Sequence, residues 1–144
     1  MLTKNIYSST HELSNPIQWL LAGPRRNLYF KPSNVKAAIV TCGGLCPGLN
    51  VVIRELYITL NIHYGCPEVW GVHYGYGGIY SGQWERITLD TIKNLQFLGG
   101  TFLGSSRGGF DADKMIAALL AKGINQLYVI GGDGTQRGVH VLHE

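Results

Sequence analysis

No apolar run in the chain approaches the roughly 18 residues that a membrane-spanning helix needs, and Ile17 to Ala22 is too short for a signal-peptide core. Cysteine is scarce as well. Three residues, an odd number, do not make a disulfide framework and fit a reducing compartment. We therefore expect a soluble, cytoplasmic protein with no membrane partner. Charged residues are only 15% of the sequence, and the net charge of +3 comes from dispersed lysines and arginines. A nucleic-acid face needs a basic stripe, so that class is excluded, while small anions remain suitable ligands. Internal repeats and low-complexity segments are also missing.

Glycine is what the chain has in excess: 20 of 144 residues, about twice the usual share. Hydrophobic residues make up 45%, and a chain of this length buries roughly two thirds of its unfolded surface, enough for a core. The glycines cluster after apolar runs. Leu127-Tyr128-Val129-Ile130 leads into Gly131-Gly132-Asp133-Gly134-Thr135, and Ala37-Ala38-Ile39-Val40-Thr41 leads into Cys42-Gly43-Gly44. Such turns do one of two things. They merely tighten a strand-to-helix connection, or they let backbone N–H groups approach phosphate oxygens at a helix start, with the acid holding the Mg²⁺ that accompanies a nucleotide. Asp133, read as crevice-facing, needs a cation or several donors to offset its desolvation.

Along the chain, residues 1–34 lack periodicity and carry Pro16, Pro24 and Pro32, so they read as a surface arm with a short helix near Asn15 to Leu21. Residues 35–144 read as an α/β domain. A helix is expected from Leu49 to Tyr64, a strand from Glu68 to His73, a loop from Tyr74 to Gly82 and a short strand from Trp84 to Ile87. Thr88 is placed as the N-cap of a helix running to about Phe97 and stopped by Gly99-Gly100. Thr101 to Gly104 is expected as a brief strand opening into a third polar glycine loop, Ser105 to Gly109. Asp111 caps a helix with Ala112, Met115, Ile116 and Leu119 on one face, Lys122 complementing the dipole, and Gly123 as its left-handed stop.

Alternation of strand and helix with short connections predicts a doubly wound, mostly parallel sheet, whose βα loops open on one edge where ligands bind at a switch in strand order. The three glycine loops then converge. Such sheets usually continue with further strands, so the chain reads as incomplete at its C-terminus. A zinc set of Cys42, Cys46, His63 and Cys66 is excluded by geometry. The intervening helix of 16 residues would hold the two pairs roughly 24 Å apart at about 1.5 Å per residue. None of the five histidines has a partner at recognisable spacing.

Taken together, TCGGLCPGLN at 41–50, GYGGIY at 75–80, GGTFLGSSRGG at 99–109 and GGDGT at 131–135 resemble the ATP-dependent 6-phosphofructokinase family. The likeness runs from about Ala22 to Glu144, and the lead-in is similar to the plant-type and protist branch. It implies the Rossmann-like nucleotide-binding half of that fold. It also implies transfer of the γ-phosphoryl group of MgATP to fructose 6-phosphate, giving fructose 1,6-bisphosphate. Leu45 departs from the acid usual in bacterial members, which sets bacterial-style regulation aside.

Carried over by position, the resemblance implies that Gly44 lies against the nucleotide phosphates and that Tyr76, Arg107 and Gly108 contact the nucleotide. Asp133 is the matching Mg²⁺ carboxylate; Gly132, Gly134, Thr135 and Gly138 complete the nucleotide loop. Gly134 matches the donor-selecting position, where glycine accompanies ATP and Asp accompanies pyrophosphate. Arg107 is then the catalytic phosphate clamp. The family's base lies in a Thr-Ile-Asp-Asn-Asp stretch that these residues lack, so the 144-residue chain alone is expected to be inactive, and the full-length enzyme to be a homo-oligomer in cytosol or plastid. Two other readings stay open: a kinase of the NAD or lipid type, which explains GGDGT but not TCGGLCPGLN, and a non-catalytic nucleotide-binding subunit.

Overall fold

The computed structural model describes residues 3–5, 18–20 and 26–144. Its centre is β3 (Lys36–Thr41), whose run from Ala37 to Val40 is fully buried because both faces of the strand are covered. β3 pairs in parallel with β4 (Glu68–Val72) on one side and with β6 (Gln126–Ile130) on the other. β5 (Trp84–Arg86) adds an antiparallel edge to β4, giving the order β5-β4-β3-β6. The mostly parallel α/β sheet expected from the sequence is thus present, with one antiparallel edge.

Alternation along β3 assigns its side chains to two cores, since successive residues of a strand point to opposite faces. Ala37 and Ile39 pack with Ile53, Tyr57 and Leu60, from α1 (Leu49–Tyr57) and the turns that follow it. Ala38 and Val40 pack with Tyr76 and Ile79 of α2 (Tyr76–Ser81) and with Met115 of α4 (Ala112–Lys122). Ile53 has no exposed surface, and truncating it to Ala would cost about 2–5 kcal/mol. The chain leaves β3 through α1 to β4 on one side and returns through α4 to β6 on the other. The strand order therefore reverses between β3 and β6, and the glycine turns that follow these two strands open on either side of that point.

Several elements differ from expectation. Gln18–Leu20 (β2) pairs antiparallel with Thr3–Asn5 (β1), so no helix crosses those three residues; the rest of the expected helix, like most of the arm, lies outside the described residues. The helix begun at Leu49 widens to π geometry over Ile58–His63, and the Asn61 amide holds its exit by donating to the Cys66 carbonyl at 2.8 Å. Tyr76–Ser81 is a helix rather than a loop. It is bracketed by Gly75 and Gly82 at positive φ, and Gly78 lies so close to the His73 carbonyl that no Cβ would fit.

The helix capped by Thr88 also breaks early. α3 spans only Leu89–Ile92, then a 3₁₀ turn covers Leu95–Phe97; the bend at Asn94 lets both Ile92 and Leu95 reach the core. Thr101 to Gly104 is not a strand: single bonds to the Asn50 and Thr41 side chains and from the Tyr74 N–H hold it in place of a ladder. On α4, Asp111 caps as expected, accepting from the Lys114 N–H at 3.2 Å, and Gly123 is left-handed. Met115 is buried but Ile116 is exposed, and the Lys122 ammonium sits 3.7 Å over the Trp70 ring. No helix among the described residues is long and apolar enough to cross a membrane.

Candidate functional site

A cleft of about 380 Å³ opens at the carboxyl ends of β3 and β6. Three segments line it: Cys42 to Gly44 after β3, Ser106 to Phe110, and Gly132 to Thr135 after β6, with Tyr76 between them. A separate apolar cleft of about 300 Å³, among Leu28, Phe30, Leu60 and Tyr128, lies near the opposite ends of the strands and gathers no phosphate-binding groups.

α5 (Asp133–His143) starts inside the first cleft. Gly132 occupies its N-cap position in extended geometry and supplies no side-chain cap, so the first-turn N–H groups are free to meet an anion. The turn is compact because Thr135 folds back on Gly131: a Cβ at Gly131 would stand 2.7 Å from the Thr135 Cβ. Asp133 is exposed, as are Gly132 and Gly134. The expectation of a desolvated Asp133 therefore fails. It stands at a helix N-terminus, where its charge is favourable with or without a metal.

Opposite this turn is Arg107. Its guanidinium reaches over the first glycine turn, with Nη2 3.6 Å from where a Gly44 Cβ would be. No carboxylate among the described residues pairs with Arg107, and no cation among them pairs with Asp133. One unpaired cation and one unpaired anion thus share the cleft. Gly108 follows at a φ of 78°, a conformation that favours glycine.

Tyr76 forms the inner wall. Only 4% exposed, it donates its hydroxyl to the Thr135 carbonyl at 2.7 Å, and its ring meets Phe110 edge-on at 5.4 Å between centroids. Gly138 lies behind this wall rather than on it. A Cβ there would come within 2.9 Å of Phe110 and 3.1 Å of Tyr76, so the glycine lets the rings pack against α5.

Burial pushes the Cys42 thiol up to about 11, a hydrogen bond from the Tyr76 N–H opposing only part of the effect. Burial likewise pushes the Tyr76 phenol up to about 12, with the neighbouring Cys42 adding to it. Neither group is a base near neutral pH. These two side chains therefore do not offer a proton acceptor to a hydroxyl.

The structure thus brings Gly44, Tyr76, Arg107, Gly108, Gly132, Asp133, Gly134 and Thr135 to one cleft, with Gly138 supporting its wall. Sequence reasoning missed Cys42, Ser106 and Phe110 as lining residues. Phe110 had one available signal, a large apolar residue just after Gly108-Gly109 and before a helix cap. Cys42 and Cys66 belong to core clusters on opposite faces of the sheet, which separates them as zinc ligands.

Residues 36–144 match the family model described as Phosphofructokinase. Among curated relatives, "ATP-dependent 6-phosphofructokinase 4, chloroplastic" of Arabidopsis thaliana is 48% identical over 123 residues, covering 85% of this chain and 23% of that protein. "ATP-dependent 6-phosphofructokinase 2" of the same plant is 45% identical over 138 residues, covering 96% of this chain and 31% of that protein. The chain therefore spans between 23% and 31% of the length of these relatives. The crystal structure of Pichia pastoris phosphofructokinase in the T-state superposes with a TM-score of 0.69 at 23% identity, over 85% of this chain and 14% of that one; the likeness is one of fold.

Proposed function

The chain belongs to the phosphofructokinase family, and from that premise we propose that its cleft is the ATP site of an ATP-dependent 6-phosphofructokinase, which phosphorylates the 1-hydroxyl of fructose 6-phosphate. One observation carries this reading. Two glycine turns, a helix N-terminus, an unpaired arginine and an unpaired carboxylate meet at the point where the strand order reverses. The family match over residues 36–144 takes in both glycine turns, whereas a kinase of the NAD or lipid type accounts for the second alone.

In this reading the free N–H groups of α5 and the backbone at Gly44 cradle the phosphates, and Arg107 clamps the transferring group as its charge redistributes. Asp133 fits a magnesium ion. Among the described residues no group of three ligating side chains exists, and a single exposed carboxylate suits an ion that keeps several waters and takes substrate oxygens as its remaining ligands. Bound there, Mg²⁺ would neutralise charge between the β- and γ-phosphates. Gly134, whose Cβ position has no atom within 4 Å apart from the adjoining backbone of its own helix, leaves room for the α-phosphate.

The base that accepts the hydroxyl proton and the ligands of the sugar phosphate fall to other residues of the family's longer chains. We propose that residues 1–144 alone bind MgATP without turning over. A homo-oligomeric full-length enzyme in cytosol or plastid follows from the same family reading. The test is a coupled assay for fructose 1,6-bisphosphate on the full-length protein, with ATP and pyrophosphate each as donor. ATP-dependent turnover is expected. Turnover with pyrophosphate alone would overturn the donor assignment, and absence of turnover with either would overturn the activity.

A further inference from the structure

Few polar side chains are buried among the described residues, and two of them, Thr41 at 0% and Asn50 at 3% exposure, grip the same segment. That segment, residues 98–106, has no regular secondary structure beyond an isolated bridge between Cys42 and Ser106. Asn50 stands in the first turn of α1, and asparagine is a mediocre helix residue, so the helix itself does not call for it. Its amide serves the segment instead. Nδ2 donates to the carbonyls of Leu98 at 2.8 Å and Gly99 at 3.3 Å, while Oδ1 accepts the Phe102 N–H at 2.7 Å. Only an amide offers donors and an acceptor in that arrangement. A carboxylate of the same shape would face two carbonyl oxygens.

The grip continues toward the cleft. Thr41 Oγ1 donates to the Gly104 carbonyl at 2.7 Å, the Tyr74 N–H donates to Leu103 O at 2.9 Å, and the Gly43 N–H donates to Ser106 O at 2.9 Å. The next residue is Arg107. Among the described residues its guanidinium has no hydrogen-bond or ion-pair partner to orient it, so its place over Gly44 depends on where the segment delivers its backbone.

We infer that Asn50, assisted by Thr41, is a positioning residue for Arg107. The two side chains transmit the fixed geometry of the first βα unit through residues 98–106 and set where the guanidinium meets the phosphate chain. A displacement of about 1 Å at such a group lowers rates by around a hundredfold, so the buried bonds matter to turnover beyond their part in stability. The inference rests on the reading of Arg107 as a phosphate clamp.

A double-mutant cycle in the full-length enzyme tests it, with Asn50→Asp, Arg107→Ala and the pair, and a parallel cycle with the isosteric Thr41→Val. Asn50→Asp is expected to lower kcat/KM for MgATP at least tenfold alone, and less than about threefold once Arg107 is alanine. Thr41→Val should give a smaller loss that disappears in the same background, and it decides the matter if Asn50→Asp does not fold. Losses that multiply in the double variants would mean that Asn50 and Thr41 only stabilise the fold, and would overturn the inference. An Asn50→Asp enzyme with unchanged kcat/KM would overturn it too. If Arg107→Ala alone is silent, the clamp assignment falls and the inference with it; if Arg107→Ala is impaired while the cycles multiply, only the inference falls.

Discussion

The Tyr76 hydroxyl donates to the Thr135 carbonyl across 2.7 Å, joining the first turns of two helices that are 59 residues apart in sequence. α2 and α5 thereby form one wall of the cleft. The bond also commits the hydroxyl proton of Tyr76, whose ring packs edge-on against Phe110. A tyrosine assigned by resemblance to nucleotide contact thus has a structural engagement of its own.

Tyr76→Phe keeps the ring and removes this bond. The expected loss is about 1 kcal/mol of stability, the net worth of a typical buried hydrogen bond, with ATP affinity changed by less than about threefold, or 0.7 kcal/mol. Thermal unfolding and an ATP titration on one preparation separate the two effects. A tenfold loss of affinity at unchanged stability would show that the hydroxyl meets the nucleotide after all.

Gly134→Asp tests donor selection. The φ at Gly134 is not positive and its Cβ position is open, so a side chain fits without strain, and any effect falls on the ligand. A carboxylate beside the α-phosphate repels it. Efficiency with ATP should drop at least tenfold, about 1.4 kcal/mol. Steady-state kinetics with each donor decide this, and equal ATP efficiency would reduce Gly134 to a turn residue.

How much of this is legible in the sequence depends on where each constraint lies along the chain. Ala37 to Val40 and Leu127 to Ile130 announce buried parallel strands by continuous apolar runs, and Asp111 and Gly123 mark both ends of α4 through local backbone chemistry. α2 carries no such mark. Gly77 and Gly78 weaken its intrinsic helix preference, and Gly78 is there for a close approach to His73, a contact that propensity does not encode. Residues 98–106 resemble a strand in part by composition, whereas their shape comes from Asn50 and Thr41, 48 and 63 residues away from their bonding partners. The glycine turns are legible as candidates. Phe110 offers only its place between Gly108-Gly109 and the Asp111 cap, since a single aromatic in a loop belongs to no period.

Asp133→Asn distinguishes a metal-holding carboxylate from a helix-capping one. If the residue holds Mg²⁺, kcat should fall by on the order of a hundredfold while the fold survives. Its exposed position at the start of α5 provides the contrast. Were the charge there only for the helix dipole, the substitution would lower stability by about 0.3–1 kcal/mol and leave kcat unchanged. Magnesium titrations of the variant, read as activity and as melting temperature, distinguish the outcomes.

Alkaline pH should loosen the cleft through Cys42. Its thiol, ordinarily near 9.0, is pushed up to about 11 by burial, and the Tyr76 phenol is pushed from 10.0 up to about 12. Both folded-state values are raised, so the folded protein holds these protons more tightly than the unfolded chain does. Stability is then fully present below pH 9.0, and falls as the unfolded thiol ionises while the buried one cannot; the loss runs on through about pH 11, with the phenol extending it. A proton held tenfold more tightly is worth about 1.4 kcal/mol, which makes the thiol's share at most about 3 kcal/mol. Cys42→Ala introduces a small cavity and lowers stability at every pH, so the slope is the informative quantity. Denaturation midpoints between pH 8 and pH 11 should decline less steeply in Cys42→Ala than in the parent. Parallel curves would show that the thiol is open to solvent and that the alkaline response arises elsewhere.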